Sequence, residues 1–162
     1  MKIRHIYISA GHNFFGHGDH SPGAHPVLEV PEIECVAGRG LRGDRFFDFK
    51  PDYKGQITFF AAETHAALSR ELGIPDKSPA VYRRNVITEG VDLNTLIGRE
   101  FEVQGIRFRG TAHCSPCHWM NEVVAPGAET WLRNCGGLRA MILTDGTLRA
   151  EPPAVTIPPK AA

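Results

Sequence analysis

The sequence predicts a mainly β chain, with strands closing into a barrel-like sheet and a few short α-helices at its periphery. Three observations predict it. Alternating or β-branched runs outnumber helical ones. The helical patterns are short. Glycine and proline recur along the chain, so turns are frequent.

Residues 3–9 read as a strand, with Ile6 and Ile8 on one face. Residues 10–26 are rich in Gly, His, Asn, Pro and Asp and read as a long loop. Residues 27–36 resume a strand pattern, in which Pro31 implies an edge or a bulge. A glycine-punctuated turn covers 38–45, and Phe46, Phe47 and Phe49 follow it. Residues 56–60 are a β-rich run. Residues 61–72 carry Leu68 and Leu72 one helical turn apart, with Gly73 as a C-terminal cap and Pro75 as a stop. Residues 85–88 read as a buried strand. Residues 101–109 alternate on both sides of Gln104-Gly105, as a hairpin does. A short helix covers 128–134, closed by Gly136-Gly137. Residues 139–143 form a strand, and Asp145-Gly146 a turn. Residues 1–150 make one domain, and the proline-rich 151–162 an extended tail.

Composition excludes several classes. The chain has 162 residues, 42% apolar and 22% charged, as an ordinary globular domain does. Its formal net charge is zero, so bulk charge gives nucleic acid or anionic membrane no purchase. The N-terminus alternates and lacks the continuous apolar stretch of a signal peptide. No run reaches the length of a membrane span. The expectation is a cytoplasmic protein. Its four cysteines are too few for a disulfide framework at this length and read as free, metal-bound or reactive.

The chemistry concentrates in residues 111–120, where Cys114-Ser115-Pro116-Cys117 places two thiols on one short segment between His113 and His118. A thiolate is a nucleophile, a sulfur carrier and a soft metal ligand. Half of a structural zinc site is one alternative, although a closed site needs two further ligands and no second Cys-x-x-Cys exists. A packing role for both thiols is another. Cys35 and Cys135 read as packing cysteines. His12, His17, His20 and His25 share one loop, but their spacing fits no regular ligand pattern, and the loop reads equally well as a lid. Arg107 and Arg109 read as surface residues, and Trp119 and Trp131 as core.

Five motifs occur in order: Gly40-Leu41-Arg42-Gly43-Asp44-Arg45; Arg83-Arg84-Asn85-Val86-Ile87 with Gly90-Val91-Asp92-Leu93; Leu96-Ile97-Gly98; Cys114-Ser115-Pro116-Cys117; and Gly136-Gly137-Leu138-Arg139-Ala140. Together they resemble the MOSC domain, the module at the C-terminal end of molybdenum-cofactor sulfurases, which is also found alone in bacteria and in amidoxime-reducing molybdoenzymes. The resemblance spans 27–150.

It implies a barrel-like MOSC fold and binding of the molybdenum cofactor, a pterin dithiolene with a terminal phosphate. It implies Cys117 as the molybdenum or sulfur ligand, with Cys114 as a bystander or a sulfur relay. Asp44-Arg45-Phe46 is similar to the Asp-Arg-aromatic motif that holds the cofactor in the amidoxime-reducing relatives. Arg83 and Asn85 match their Arg-x-Asn group, and Thr64 corresponds more loosely to a hydroxyl early in their helix. Cationic forks and amide donors suit a phosphate-bearing pterin. The activity implied is reduction of N-hydroxylated compounds, with a small-molecule substrate and electrons from a separate donor protein. A carrier of sulfur or cofactor without turnover is the rival, and a zinc-stabilised binding domain a third reading. The chain has no room for the pyridoxal-phosphate domain of the sulfurases, so no pyridoxal phosphate is expected. Neither nucleic acid nor membrane is an expected partner, and a homodimer is left open.

Overall fold

The structure is a computed structural model, and it describes residues 1–14 and 21–151. The proline-rich tail beyond Glu151, and His17 and His20 of the histidine loop, lie outside the described residues.

Among the described residues, ten strands form two sheets. In the larger, the order is β2 (Leu28–Glu29), β1 (Lys2–Ile8), β6 (Val86–Glu89), β5 (Ile57–Ala61), β9 (Leu138–Ile142), β8 (Ile106–His113) and β7 (Glu100–Val103). In the smaller it is β10 (Gly146–Arg149), β3 (Glu32–Val36) and β4 (Gly40–Leu41). Strands β5 and β6 run parallel, with Phe59 opposite Val86 and Ala61 opposite Thr88. Parallel neighbours need a crossover, which α1 (Ala62–Glu71) begins.

The barrel expectation is corrected here: among the described residues no closed barrel forms. Strands β2 and β7 end the large sheet as separate edges, and the small sheet is its own ladder. The reason is visible in the central strands, which are apolar on both faces. Ile6, Ile57, Phe59 and Val86 enter a core shared with Ile33, Leu41 and Leu148 of the small sheet. Their neighbours Tyr7, Phe60 and Ile87 enter a second core with Leu68, Met120, Val124 and Leu132 of the helices. Each face of such a sheet must be covered by something else. The result is three layers: small sheet, large sheet and helices.

The local expectations fare well. Ile8 packs with Ile6 against the same core. Pro31 marks the break between β2 and β3, which belong to different sheets. Gln104 and Gly105 both have positive φ, 51° and 80°, as a two-residue hairpin turn requires. Gly73, at φ 66°, follows the C-cap of α1. The 128–134 helix is a short α3 (Ala128–Trp131) continued by a 3-10 turn. Three strands or α-helices escape the sequence reading: β4, β10, and α2 (Trp119–Val123) just after Cys117.

Candidate functional site

The site forms at the N-terminal end of β6, where three loops meet. A 3-10 turn (Pro79–Tyr82) ends on Arg83, whose φ of 52° turns the chain sharply into β6. The next two side chains are anchors. Asn85 is 2% exposed. Its Oδ1 accepts from the Thr58 N–H at 3.0 Å and the Thr58 hydroxyl at 2.9 Å. Its Nδ2 donates to the Tyr7 carbonyl at 3.2 Å and to Asp44 Oδ1 at 3.3 Å. The amide is therefore spent inside the protein, and Asn85 acts on the site through Asp44.

Asp44 is buried at the end of the glycine-punctuated turn. Its Oδ1 also takes the Ser9 N–H at 3.1 Å, and its Oδ2 the Phe46 N–H at 3.1 Å. Arg45 completes the pair, with Nη1 3.3 Å from Asp44 Oδ1. Its Nη2 donates to the Arg83 carbonyl at 3.2 Å. Arg83 in turn donates from Nη2 to Ser9 Oγ at 2.9 Å and to the Gly11 carbonyl at 2.7 Å. Burial lowers the pKa of both arginines; the Arg45 cation adds to this at Arg83, which falls to about 10. Both stay charged at neutral pH.

A cavity of about 170 Å³ opens against these groups. Arg45, Arg83, Arg84 and Cys117 all line it, together with His12, Phe14 and Trp119. Cys117 is exposed, whereas Cys114 is buried. Trp119 is 7% exposed, and its indole N–H is buried without an acceptor. Its ring meets Phe14 at 5.1 Å, and the Arg83 guanidinium lies over Phe14 at 5.6 Å. His12 packs edge-on against Phe46 at 4.9 Å. Burial lowers the His12 pKa, and the Arg45 and Arg83 cations lower it further.

Thr64 does not join this group. It lines a different cavity, of about 420 Å³, with Glu63, Asp92 and Cys135. The parallel pairing explains this: Thr64 follows the C-terminal end of β5, while Arg83 and Asn85 precede β6 at the other end. Among the described residues, no group of three or more His, Cys, Asp or Glu side chains could hold a metal ion. His12 and His25 therefore gather no such ligand set, and neither does the Cys-x-x-Cys pair. Cys35 is fully buried in the core, as expected, and Arg107 and Arg109 face outward. Trp119 is buried, as expected, but it also lines the cavity, which the sequence reading missed for both Trp119 and Arg84. The adjacency of Trp119 to Cys117, and of Arg84 to Arg83, was the available signal.

No helix of the described residues is long and apolar enough to cross a membrane. The family model of the MOSC domain matches residues 42–152. No curated protein matches the chain. Among solved structures, the YuaD protein from Bacillus subtilis is similar at a TM-score of 0.66 and 16% identity, over 91% of this chain and 94% of that one. YiiM from Escherichia coli is similar at 0.62 and 17%, over 93% and 67%. YiiM from Geobacillus stearothermophilus gives 0.62 and 13%, over 91% and 70%. At these identities the likeness concerns the fold. With the family model covering most of its length, the chain belongs to the MOSC domain family, which is associated with molybdenum-cofactor binding.

Proposed function

We propose that this chain holds the molybdenum cofactor in the cavity between Arg45, Arg83 and Cys117, and that it reduces N-hydroxylated compounds with electrons from a separate protein. The observation that carries this reading is the exposed Cys117 lining one cavity with three guanidinium side chains. The donor set fits the cofactor. A soft thiolate suits molybdenum and cationic forks suit a phosphate. The cavity is smaller than the ~300 Å³ at which pockets take a whole drug-sized ligand, so it would hold only part of a pterin cofactor.

When bound, the cofactor would supply a metal centre able to exchange two electrons and an oxygen atom. The chain supplies the rest. Asp44 fixes Arg45, and Asn85 fixes Asp44, so the cationic wall is set before any ligand arrives. Arg45 and Arg83 bind the anionic end. Phe14 and Trp119 keep water from one side of the cavity. Cys117 contributes the thiolate.

Metal and pterin analysis tests the reading, on protein made in a host that synthesises the cofactor. The expected result is molybdenum and pterin in the wild type and loss of molybdenum in Cys117→Ala. Molybdenum-free wild type, or a Cys117→Ala protein with full metal and activity, would overturn it. The exposure of Cys117 also suits a carrier that passes sulfur or cofactor to a partner. Turnover of a hydroxylamine with an artificial reductant selects the enzyme; cofactor without turnover selects the carrier.

A further inference from the structure

Arg84 lies between the cationic wall and the thiol segment, and its hydrogen bonds join three separate parts of the chain. Its Nε donates to the Gly136 carbonyl at 3.1 Å, in the turn before β9. Its Nη1 donates to the Tyr82 carbonyl at 3.2 Å, in the 3-10 turn before Arg83. Its Nη2 donates to the Cys114 carbonyl at 3.4 Å, at the end of β8. The Cys114 N–H also donates to the Gly137 carbonyl, at 2.7 Å. Gly136 packs so closely that a Cβ there would collide with the Cys114 carbonyl oxygen. Beyond Cys117 the chain is next held where the Met120 N–H donates to the Cys117 carbonyl at 2.9 Å. The span 114–117 is thus pinned at its start by Arg84 and the glycine pair, and at its end by the first turn of α2.

We infer that Arg84 is the positioning residue of Cys117: its guanidinium fixes the start of the Cys-x-x-Cys span against the cationic wall and so sets where the thiol stands. Three of its five N–H donors are spent on carbonyls, one from each of its three nitrogens, whereas an ammonium offers its three donors from a single atom. The two remaining donors belong to a side chain that lines the cavity with Arg45 and Arg83. One guanidinium therefore contributes positive charge to the cavity and holds the thiol's backbone. The inference rests on the proposed role of Cys117, but its test does not need the cofactor.

The test is alkylation of metal-free protein by iodoacetamide, with each cysteine quantified by mass spectrometry. In the wild type, the exposed Cys117 should label readily and the buried Cys114 should be protected. In Arg84→Gln the Cys117 rate should change severalfold and Cys114 should become labelled. Arg84→Lys, which keeps the charge but loses the fork, should fall between. It serves as the variant of record if the glutamine protein does not fold. Ile142→Val, a buried substitution away from the span, controls for general destabilisation and should leave both rates at the wild-type level. Wild-type labelling at both cysteines in the Arg84 variants would overturn the inference, as would the same change in the Ile142→Val control. Molybdenum-free wild type would end the cofactor reading while leaving this result interpretable.

Discussion

The side chain of Arg45 donates to the backbone carbonyl of Arg83 at 3.2 Å, so one cation of the site is steered by the main chain of the other. Burial lowers the Arg83 pKa, and the neighbouring Arg45 cation lowers it further, since like charges brought together disfavour one another. Asp44 balances part of that charge through Arg45, and carbonyl oxygens absorb more. An anion entering the cavity would relieve the remainder.

Asn85 should prove structural in its dominant effect. Its amide satisfies Thr58, Tyr7 and Asp44 in a site without water access. Removing it leaves several buried groups unpaired, at a cost of about 1–3 kcal/mol for each that finds no new partner. Asn85→Ala should lower stability by roughly 2–4 kcal/mol, and Tm by several degrees. Asn85→Asp should cost more, because it sets a second carboxylate beside Asp44. Thermal denaturation of both variants checks this; wild-type melting would detach Asn85 from the frame of the site.

Anion affinity of the cavity should fall at alkaline pH. The Arg83 pKa of about 10 lies below the ordinary guanidinium value, so Arg83 loses its charge earlier than a free arginine. Inorganic phosphate or sulfate binding, followed calorimetrically, should weaken as pH rises through about 10. Arg83→Gln should bind weakly throughout, by a factor of about 10 at neutral pH if one charged hydrogen bond is lost. Its loss of binding near pH 10 should be smaller than in the wild type. The sign for stability is opposite. A base with a lowered folded pKa binds fewer protons when folded, so its contribution improves as pH climbs from that pKa towards the unfolded value.

Much of the fold is legible in the sequence where a local signal exists. The alternation in β1, the Gln104-Gly105 turn and the Leu68–Gly73 stop to α1 each depend on neighbours within a few residues. The small sheet does not. Strand β10 pairs Gly146 with Cys35, across more than half the chain, and β4 is only two residues long. Helix α2 has five residues, too few to display a helical period. The site follows the same logic. Arg45, Arg83 and Cys117 carry recognisable motifs and reach one cavity. Thr64 carries a weaker one and lies at the far end of a parallel strand pair, a placement set by sheet topology that residue type does not encode.

Acidification should act on His12. Burial and the Arg45 and Arg83 cations lower its pKa below the ordinary imidazole value. A histidine with a lowered folded pKa contributes stability that is present above the unfolded pKa of about 6.5 and lost as pH falls through the folded one. Melting temperature should therefore decline below that pH more steeply in the wild type than in His12→Asn. Protonated His12 also adds a cation to the cavity wall, so phosphate should narrow the difference between the two proteins. Parallel melting curves with and without phosphate check both statements; identical pH profiles for the two proteins would contradict them.

Gly137→Ala should damage the fold and the site together. Gly137 has φ 108°, a conformation that side chains rarely adopt, and a Cβ there would collide with the carbonyl oxygen of Phe59. Phe59 is fully buried at the centre of the core, so its backbone has little room to move. Strain of this kind costs about 1–3 kcal/mol, and the clash adds to it. The same residue accepts the Cys114 N–H at 2.7 Å, so any shift of Gly137 moves the start of the Cys-x-x-Cys span. The variant should melt several degrees lower and expose Cys114 to alkylation before global unfolding begins. Gly38→Ala is the matched comparison: its φ of 73° is also positive, but a Cβ there meets nothing within 4 Å. It should lose less stability and leave Cys114 protected. Equal losses in the two variants would mean that backbone strain alone, without contact to Phe59 and Cys114, accounts for the effect.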